Sequence, residues 1–192
     1  GSVQWIGGIG LGVWTQDAVP ANAYLTPNVS QAAVNVTLKV FGTGACIGTN
    51  AASVRNLSWG QTPVVNAGPD IATCSGNNPI DVTASSGSGS YGNISWTYVA
   101  SSGTGSVTSG GATLYPEFTP TSANGGGSLT VTVTGIYGCT GVNPSDDLLI
   151  SWGTAVAVNA GSNQTSCATA TTVSIAGATA TNYSSVNWTT SG

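Results

Sequence analysis

Leu129-Thr130-Val131-Thr132-Val133-Thr134-Gly135 places an apolar residue at every second position and a threonine between each pair. Successive side chains on a strand point to opposite faces, so this alternation of β-branched residues predicts a half-buried strand, valines toward a core and threonines toward water. Ninety-three residues earlier the same places hold Val36, Leu38, Val40 and Gly42. The same interval of 93 separates Cys46 from Cys139, Cys74 from Cys167 and Trp59 from Trp152. It also carries Val65-Asn66-Ala67-Gly68 onto Val158-Asn159-Ala160-Gly161, and Thr26-Pro27 onto Thr119-Pro120. Trp5, Trp96 and Trp188 keep nearly the same step, 91 and 92 residues apart. The pattern is that of a tandem array of one domain type, and arrays usually serve reach or adhesion.

The phase of the repeat divides the chain into three parts. Residues 1–63 are expected to be the C-terminal part of a first unit, 64–156 a complete unit, and 157–192 the N-terminal part of a third. Unpaired half-domains would expose apolar strand edges, so the expectation is a window from a longer polypeptide. Within 64–156, Ile80, Val82 and Ala84 alternate with polar residues, as do Ile94, Trp96 and Tyr98, and Leu148 and Ile150 lead to Trp152. Clusters such as Ser85-Ser86-Gly87-Ser88-Gly89-Ser90 and Asn124-Gly125-Gly126-Gly127 supply turns, and no stretch has helical spacing with caps. The fold class predicted is all-β: tandem Ig-like antiparallel β-sandwich repeats, each with about seven strands.

Composition narrows the function. The chain has two basic side chains, Lys39 and Arg55, against six acidic ones, with no histidine or methionine and a charged fraction of 4%. A net charge of -4 with two cations leaves no basic footprint for nucleic acid or an anionic membrane surface. No apolar run approaches the ~18 residues of a membrane-spanning helix, and Ile6 to Trp14 is broken by four glycines. The first residues carry no charged-then-apolar leader, as expected of an internal fragment. Cysteines at fixed intervals in a Ser/Thr-rich, nearly lysine-free chain indicate an oxidising, extracellular or cell-surface setting. Cys74 and Cys139 are the two cysteines of the complete unit and are expected to bridge, with Cys46 and Cys167 paired outside the chain. Such a bridge would contribute roughly 4 kcal/mol through the unfolded state. The competing pairing is Cys46 with Cys74 across a unit boundary, and the alternative to any bridge is four reduced thiols.

The segments Val65-Asn66-Ala67-Gly68-Pro69-Asp70 through Cys74-Ser75-Gly76-Asn77, and Asn159-Ala160-Gly161 through Cys167 to Asn182-Tyr183-Ser184-Ser185-Val186-Asn187-Trp188-Thr189-Thr190-Ser191-Gly192, resemble the repeats of very large Bacteroidetes cell-surface proteins. Counterparts of that family's Tyr-Thr-Pro are Phe118-Thr119-Pro120 and Leu25-Thr26-Pro27, and the stretch from Trp5 to Trp14 departs from its pattern. The resemblance implies Ig-like or PKD-like repeats of a stalk or adhesin, exported by the type IX system and in some members tied to gliding motility. Partners would then be neighbouring repeats, secretion or outer-membrane machinery, and a surface or glycan ligand.

Chemistry is sparsely provided. Without histidine a general base would have to be Asp, Glu, Lys39 or a thiolate. The adjacent carboxylates Asp146 and Asp147 fall on opposite faces of a strand, so no catalytic residue and no cofactor is assigned. Calcium at unit boundaries would want oxygen ligands, and Asp70 is the candidate, although its counterpart 93 residues on is Asn163. For a glycan-binding module, aromatic rings would stack on sugars. Tyr91, in a Gly/Ser-rich stretch, is the candidate there, beside Tyr98 and Tyr115, while Trp96 and Trp188 are expected in cores. A third reading is an extracellular filament whose units exchange strands. The row Thr130, Thr132, Thr134 reads as the solvent face of a sandwich strand, and the sequons at Asn28, Asn35, Asn56, Asn93, Asn163, Asn182 and Asn187 are expected by chance in such a composition.

Overall fold

The structure, a computed structural model, describes residues 2–16, 19, 22–74, 76, 78–167, 169 and 171–190. Ser75, Asn77, Ser191 and Gly192 of the motifs quoted above lie outside the described residues. The fold is all-β. Residues 2–59 form β1 (Ser2–Ile6), β2 (Gly12–Thr15), β3 (Tyr24–Pro27), β4 (Ala32–Phe41) and β5 (Asn50–Trp59). The middle part holds β6 (Val64–Asn66), β7 (Ile71–Thr73), β8 (Ile80–Asp81), β9 (Ser86–Ser88), β10 (Tyr91–Ser102), β11 (Gly105–Ser109), β12 (Glu117–Pro120), β13 (Gly125–Gly135) and β14 (Ser145–Trp152). β15 (Ala157–Asn159) and β16 (Thr179–Thr181) follow.

One sheet of the middle part has the order β10-β13-β14-β7 and faces a second of order β11-β12-β8, with the β6-β9 pair alongside. The core between them is Ile80, Val82, Trp96, Phe118, Leu129, Val131, Val133, Leu148, Ile150 and Trp152, with Val65 and Ala67 closing one side. On β13 the expected alternation is realised: Leu129, Val131 and Val133 are fully buried while Thr130 and Thr132 are half-exposed and Thr134 exposed. More short strands occur in the middle part than the seven expected. The extra ones arise because Gly68, at φ 95°, and Pro69 break the opening strand in two, and β6 pairs with β9 while β7 crosses to β14. That crossing makes β7 and β14 parallel, a departure from the purely antiparallel expectation. The strand expected over Ile80 to Ala84 is reduced to Ile80–Asp81, because β12 pairs with it only at Glu117 and Phe118.

The 93-residue interval recurs in the backbone. Trp5 faces Leu38 across β1 and β4, and Trp96 faces Val131 across β10 and β13. Gly12 faces Pro27, and Gly105 faces Pro120. The Trp59 indole donates to the Val29 carbonyl at 3.0 Å, and that of Trp152 to the Ser122 carbonyl at 2.8 Å. The 3-10 turns Gly44–Cys46 and Tyr137–Cys139 correspond, as do the pairs Val65↔Gly87 and Val158↔Ala180. The departure from the family pattern between Trp5 and Trp14 therefore leaves the registers intact. Every strand ladder lies within residues 2–59, 64–152 or 157–181.

Burial, by contrast, differs between the parts. In the core only Val36 comes from outside residues 65–152. Among the described residues, 2–59 hold counterparts of β10 to β14 and none of β6 to β9, so Leu57 is 37% exposed where its counterpart Ile150 is 1% exposed. Trp188 is 56% exposed for the complementary reason, which corrects its assignment to a core: the strands that would cover it are counterparts of β11 to β14.

Candidate functional site: the junction and the cysteine positions

The first two parts meet at Trp59-Gly60-Gln61. Gln61 donates its backbone N–H to the Ser90 hydroxyl at 2.8 Å, and Ser90 returns its own N–H to the Gln61 carbonyl at 2.9 Å. The Cys139 thiol donates to the same carbonyl at 3.1 Å, using its second lone pair. Ser90 is buried, and these bonds together with Ile136 N–H to its carbonyl at 3.0 Å satisfy it. Two glycines permit the approach. A Cβ on Gly138 would stand 2.7 Å from the Trp59 Cα, and one on Gly60 would stand 2.7 Å from the Ser90 hydroxyl and 3.4 Å from the Cys139 sulfur. The junction is thus a packed, hydrogen-bonded contact with no free linker.

The same registers place the cysteines. β13 begins opposite Trp152 at Gly125 and ends at Gly135, beside Cys139, whose carbonyl a Cβ on Gly135 would strike. Cys74 follows β7 at the other end, where Gly153 donates to the Thr73 carbonyl at 3.0 Å and accepts from Gly76 N–H at 2.9 Å. The ten steps of β13 separate the two thiols by about 30 Å at 3.3 Å per residue, against the 4.4–6.8 Å between Cα atoms that a disulfide spans. The expected Cys74–Cys139 bridge is therefore corrected: these cysteines cap opposite ends of the unit, and both carry free thiols, as do Cys46 and Cys167. The competing Cys46–Cys74 pairing within one chain fails likewise. Cys46 sits beyond the Phe41↔Asn50 pair, at the end of β4 away from the junction.

The other candidate residues serve the framework. Asp70 accepts the Leu149 N–H at 2.8 Å through Oδ1, so this carboxylate caps the edge of β14. Asp146 accepts Ala67 N–H at 2.9 Å, tying down the β6–β7 crossing, and Asp147 accepts the Ser128 hydroxyl at 3.3 Å. Among the described residues no group of three or more His, Cys, Asp or Glu converges on a common point. Tyr91 does not stand on an exposed loop: it opens β10, is half-buried against the core and covers Gly87, whose added Cβ would lie 2.9 Å from the phenol oxygen. Serine and glycine flanks gave a loop reading there, but pairing of Tyr91 with Gly135 draws it into the sheet. Tyr98 packs in a tilted arrangement against Phe118 at 4.7 Å and Trp152 at 6.3 Å and donates to the Gly126 carbonyl at 3.0 Å. Burial raises its phenol above the usual tyrosine range. Trp96 is buried, its indole bonded to the Thr113 carbonyl at 2.8 Å, and Tyr115 is the more exposed ring.

Sequence reasoning missed the junction set of Gly60, Gln61, Ser90 and Gly138. The available signal was the Gly60 and Gly138-Cys139 pair, recurring as Gly153 with no counterpart of Gly138 except Ala45. Compared with protein-family models, curated proteins and solved structures, the chain has no match in any of the three. No helix among the described residues is long and apolar enough to cross a membrane.

Proposed function

We propose that this chain is a non-enzymatic repeat region of a stalk or adhesin at the cell surface, its units serving as spacers. The observation that carries the reading is the junction: a repeating sandwich whose strand end at Trp59 abuts the Ser90 and Cys139 end of the next unit through direct hydrogen bonds. Contacts of this kind restrict bending, so consecutive units extend instead of folding back. The core of the middle unit is filled by Phe118, Leu129 and Trp152, all buried. The resemblance to Bacteroidetes surface repeats adds the export route and the setting, with motility as the context in some members.

Small-angle scattering on dilute, reduced protein tests the spacer reading. A compact globule of this length would have a radius of gyration of about 16 Å. A row of units, each about 35 Å long from its ten or eleven-residue strands, should instead give about 25 Å or more. A value near 16 Å overturns the spacer. Saturable micromolar attachment to a glycan array, lost in Tyr115→Ala, would replace it by a glycan-binding module.

A further inference from the structure

The outer face of the four-stranded sheet carries an open groove of about 340 Å³ over the start of β13, lined by Asp70, Ala72, Ser101, Gly126, Leu149 and Ser151. Its floor is glycine. Glycine weakens a strand interior, and there it often marks a place where a ligand or another backbone comes close. Gly127 has a local reason to be glycine, since an added Cβ would strike the Tyr98 ring and the Val99 carbonyl. Gly126 is under less constraint: an added Cβ would stand 3.0 Å from the Ile150 carbonyl and 3.5 Å from the Ser151 Cβ. At the counterpart place β4 carries Ala33, opposite Ser58 just as Gly126 is opposite Ser151. The repeat accepts a side chain at this register, and the middle part omits it.

The walls of the groove are also particular to the middle part. β1 ends at Ile6, opposite Thr37, whereas β10 continues past the counterpart pair Thr97↔Thr130 from Tyr98 to Ser102. The register shifts between Ala100 and Ser102, so Ser101 is a bulge residue, and bulges re-aim side chains beside functional sites. On the far wall stand Asp70 and Ala72, where Asn163 and Thr165 occur 93 residues on. Asp70 is fixed through Oδ1, which accepts the Leu149 N–H at 2.8 Å, while Oδ2 accepts no bond among the described residues. The Ser101 hydroxyl has no partner among them either, and Ser151 makes only a long bond, 3.5 Å to the Ile71 carbonyl. Val99 and Leu149, 67% and 57% exposed, flank Ser128 and form an apolar shoulder.

We propose that this groove is a binding site for a neutral sugar residue of a polysaccharide, with Asp70 Oδ2 and the Ser101 and Ser151 hydroxyls bonding its hydroxyls and Leu149 meeting its C–H face. An anchored carboxylate with a free oxygen accepts from sugar hydroxyls, and serine hydroxyls both donate and accept. A few convergent polar groups beside an apolar wall, over a floor without side chains, is the composition of a small-molecule site. Both basic residues, Lys39 and Arg55, lie on β4 and β5 of the first part, so the groove offers nothing to a phosphate, sulfate or uronate. An ammonium would meet a single exposed carboxylate, an attraction that water screens. The proposal goes beyond the spacer reading and uses only the geometry of one unit.

The whole chain, isotope-labelled and reduced, is titrated into the millimolar range with cellotetraose, maltotetraose and mannotetraose and followed by amide NMR shifts. At least one sugar should give saturable shifts centred on Ser101, Gly126, Leu149 and Ser151. Asp70→Asn keeps an oxygen for the Leu149 N–H yet should weaken binding by about tenfold or more, which a purely structural role would not do. Gly126→Ala, which places in β13 the side chain that β4 already holds, should weaken it similarly by filling the floor. Unshifted amides of the buried core verify that each variant is folded. No response to any of the three sugars, shifts centred elsewhere or lost in Tyr115→Ala, or unchanged affinity in either groove variant overturns the proposal. A tighter response to a lysine-containing tetrapeptide than to any sugar overturns it too, and assigns the groove to a basic protein partner. The radius of gyration that tests the spacer reading is independent of all these outcomes.

Discussion

Phe118→Ala is the sharpest probe of the sandwich. The ring has no exposed surface, sits 4.7 Å from Tyr98 and 5.4 Å from Trp152, and its edge lies where a Cβ on Gly105 would fall, at 2.3 Å. The surrounding strands are pinned by ladders on both sheets and cannot collapse into the space, so the loss should be about 3–5 kcal/mol, transfer and cavity terms together. A domain of this size has about 5–15 kcal/mol in all, so the variant should remain folded at low temperature yet melt at least about 12 °C earlier. The readout is urea and thermal unfolding of the whole chain followed by tryptophan fluorescence, since Trp96 and Trp152 are both buried in this core. Leu25→Ala, at the counterpart position in the open first part, is the internal control and should cost under about 1 kcal/mol in reduced, dilute protein. A Phe118→Ala loss below about 1 kcal/mol, or equal losses at the two sites, would refute the view that only the middle part holds a closed core.

Limited digestion with an unspecific protease should remove residues 1–59 and 157–192 first and leave a fragment spanning roughly 64–152, identified by intact mass, because the buried hydrophobic side chains other than Val36 all lie there. Asp70→Ala should cost about 1 kcal/mol in urea unfolding by orphaning the Leu149 N–H, and Asp70→Asn should recover most of it. Added calcium leaving both values unchanged is the expected companion result. The Tyr98 phenol is raised in the folded state, so its contribution is fully present below the unfolded pKa of about 10 and is lost as pH rises through the folded value. Stability should therefore fall above about pH 10, and Tyr98→Phe should flatten that fall while costing about 1 kcal/mol at neutral pH for the bond to Gly126.

Alternation at Leu129-Thr130-Val131-Thr132-Val133 and its return at Val36, Leu38 and Val40 were enough, from the sequence, to give an all-β fold, the 93-residue interval and the buried side of β13. These are local properties: a strand's faces follow from its own residues, and a repeat is visible by comparison along the chain. The chemical sparseness was equally legible, because it needs only an inventory of side chains. Where the cysteines point was not. Cys74 and Cys139 share one unit, and proximity along a repeat suggested a bridge, but the direction of β7 and the length of β13 set them at opposite ends. Tyr91 was drawn from a serine and glycine run into the sheet by its pairing with Gly135, and Asp70 was drawn to an N–H 79 residues away. Sandwich topology alone decides such long-range neighbours, since they depend on which strands lie side by side, and that is settled by burial of the whole apolar set at once.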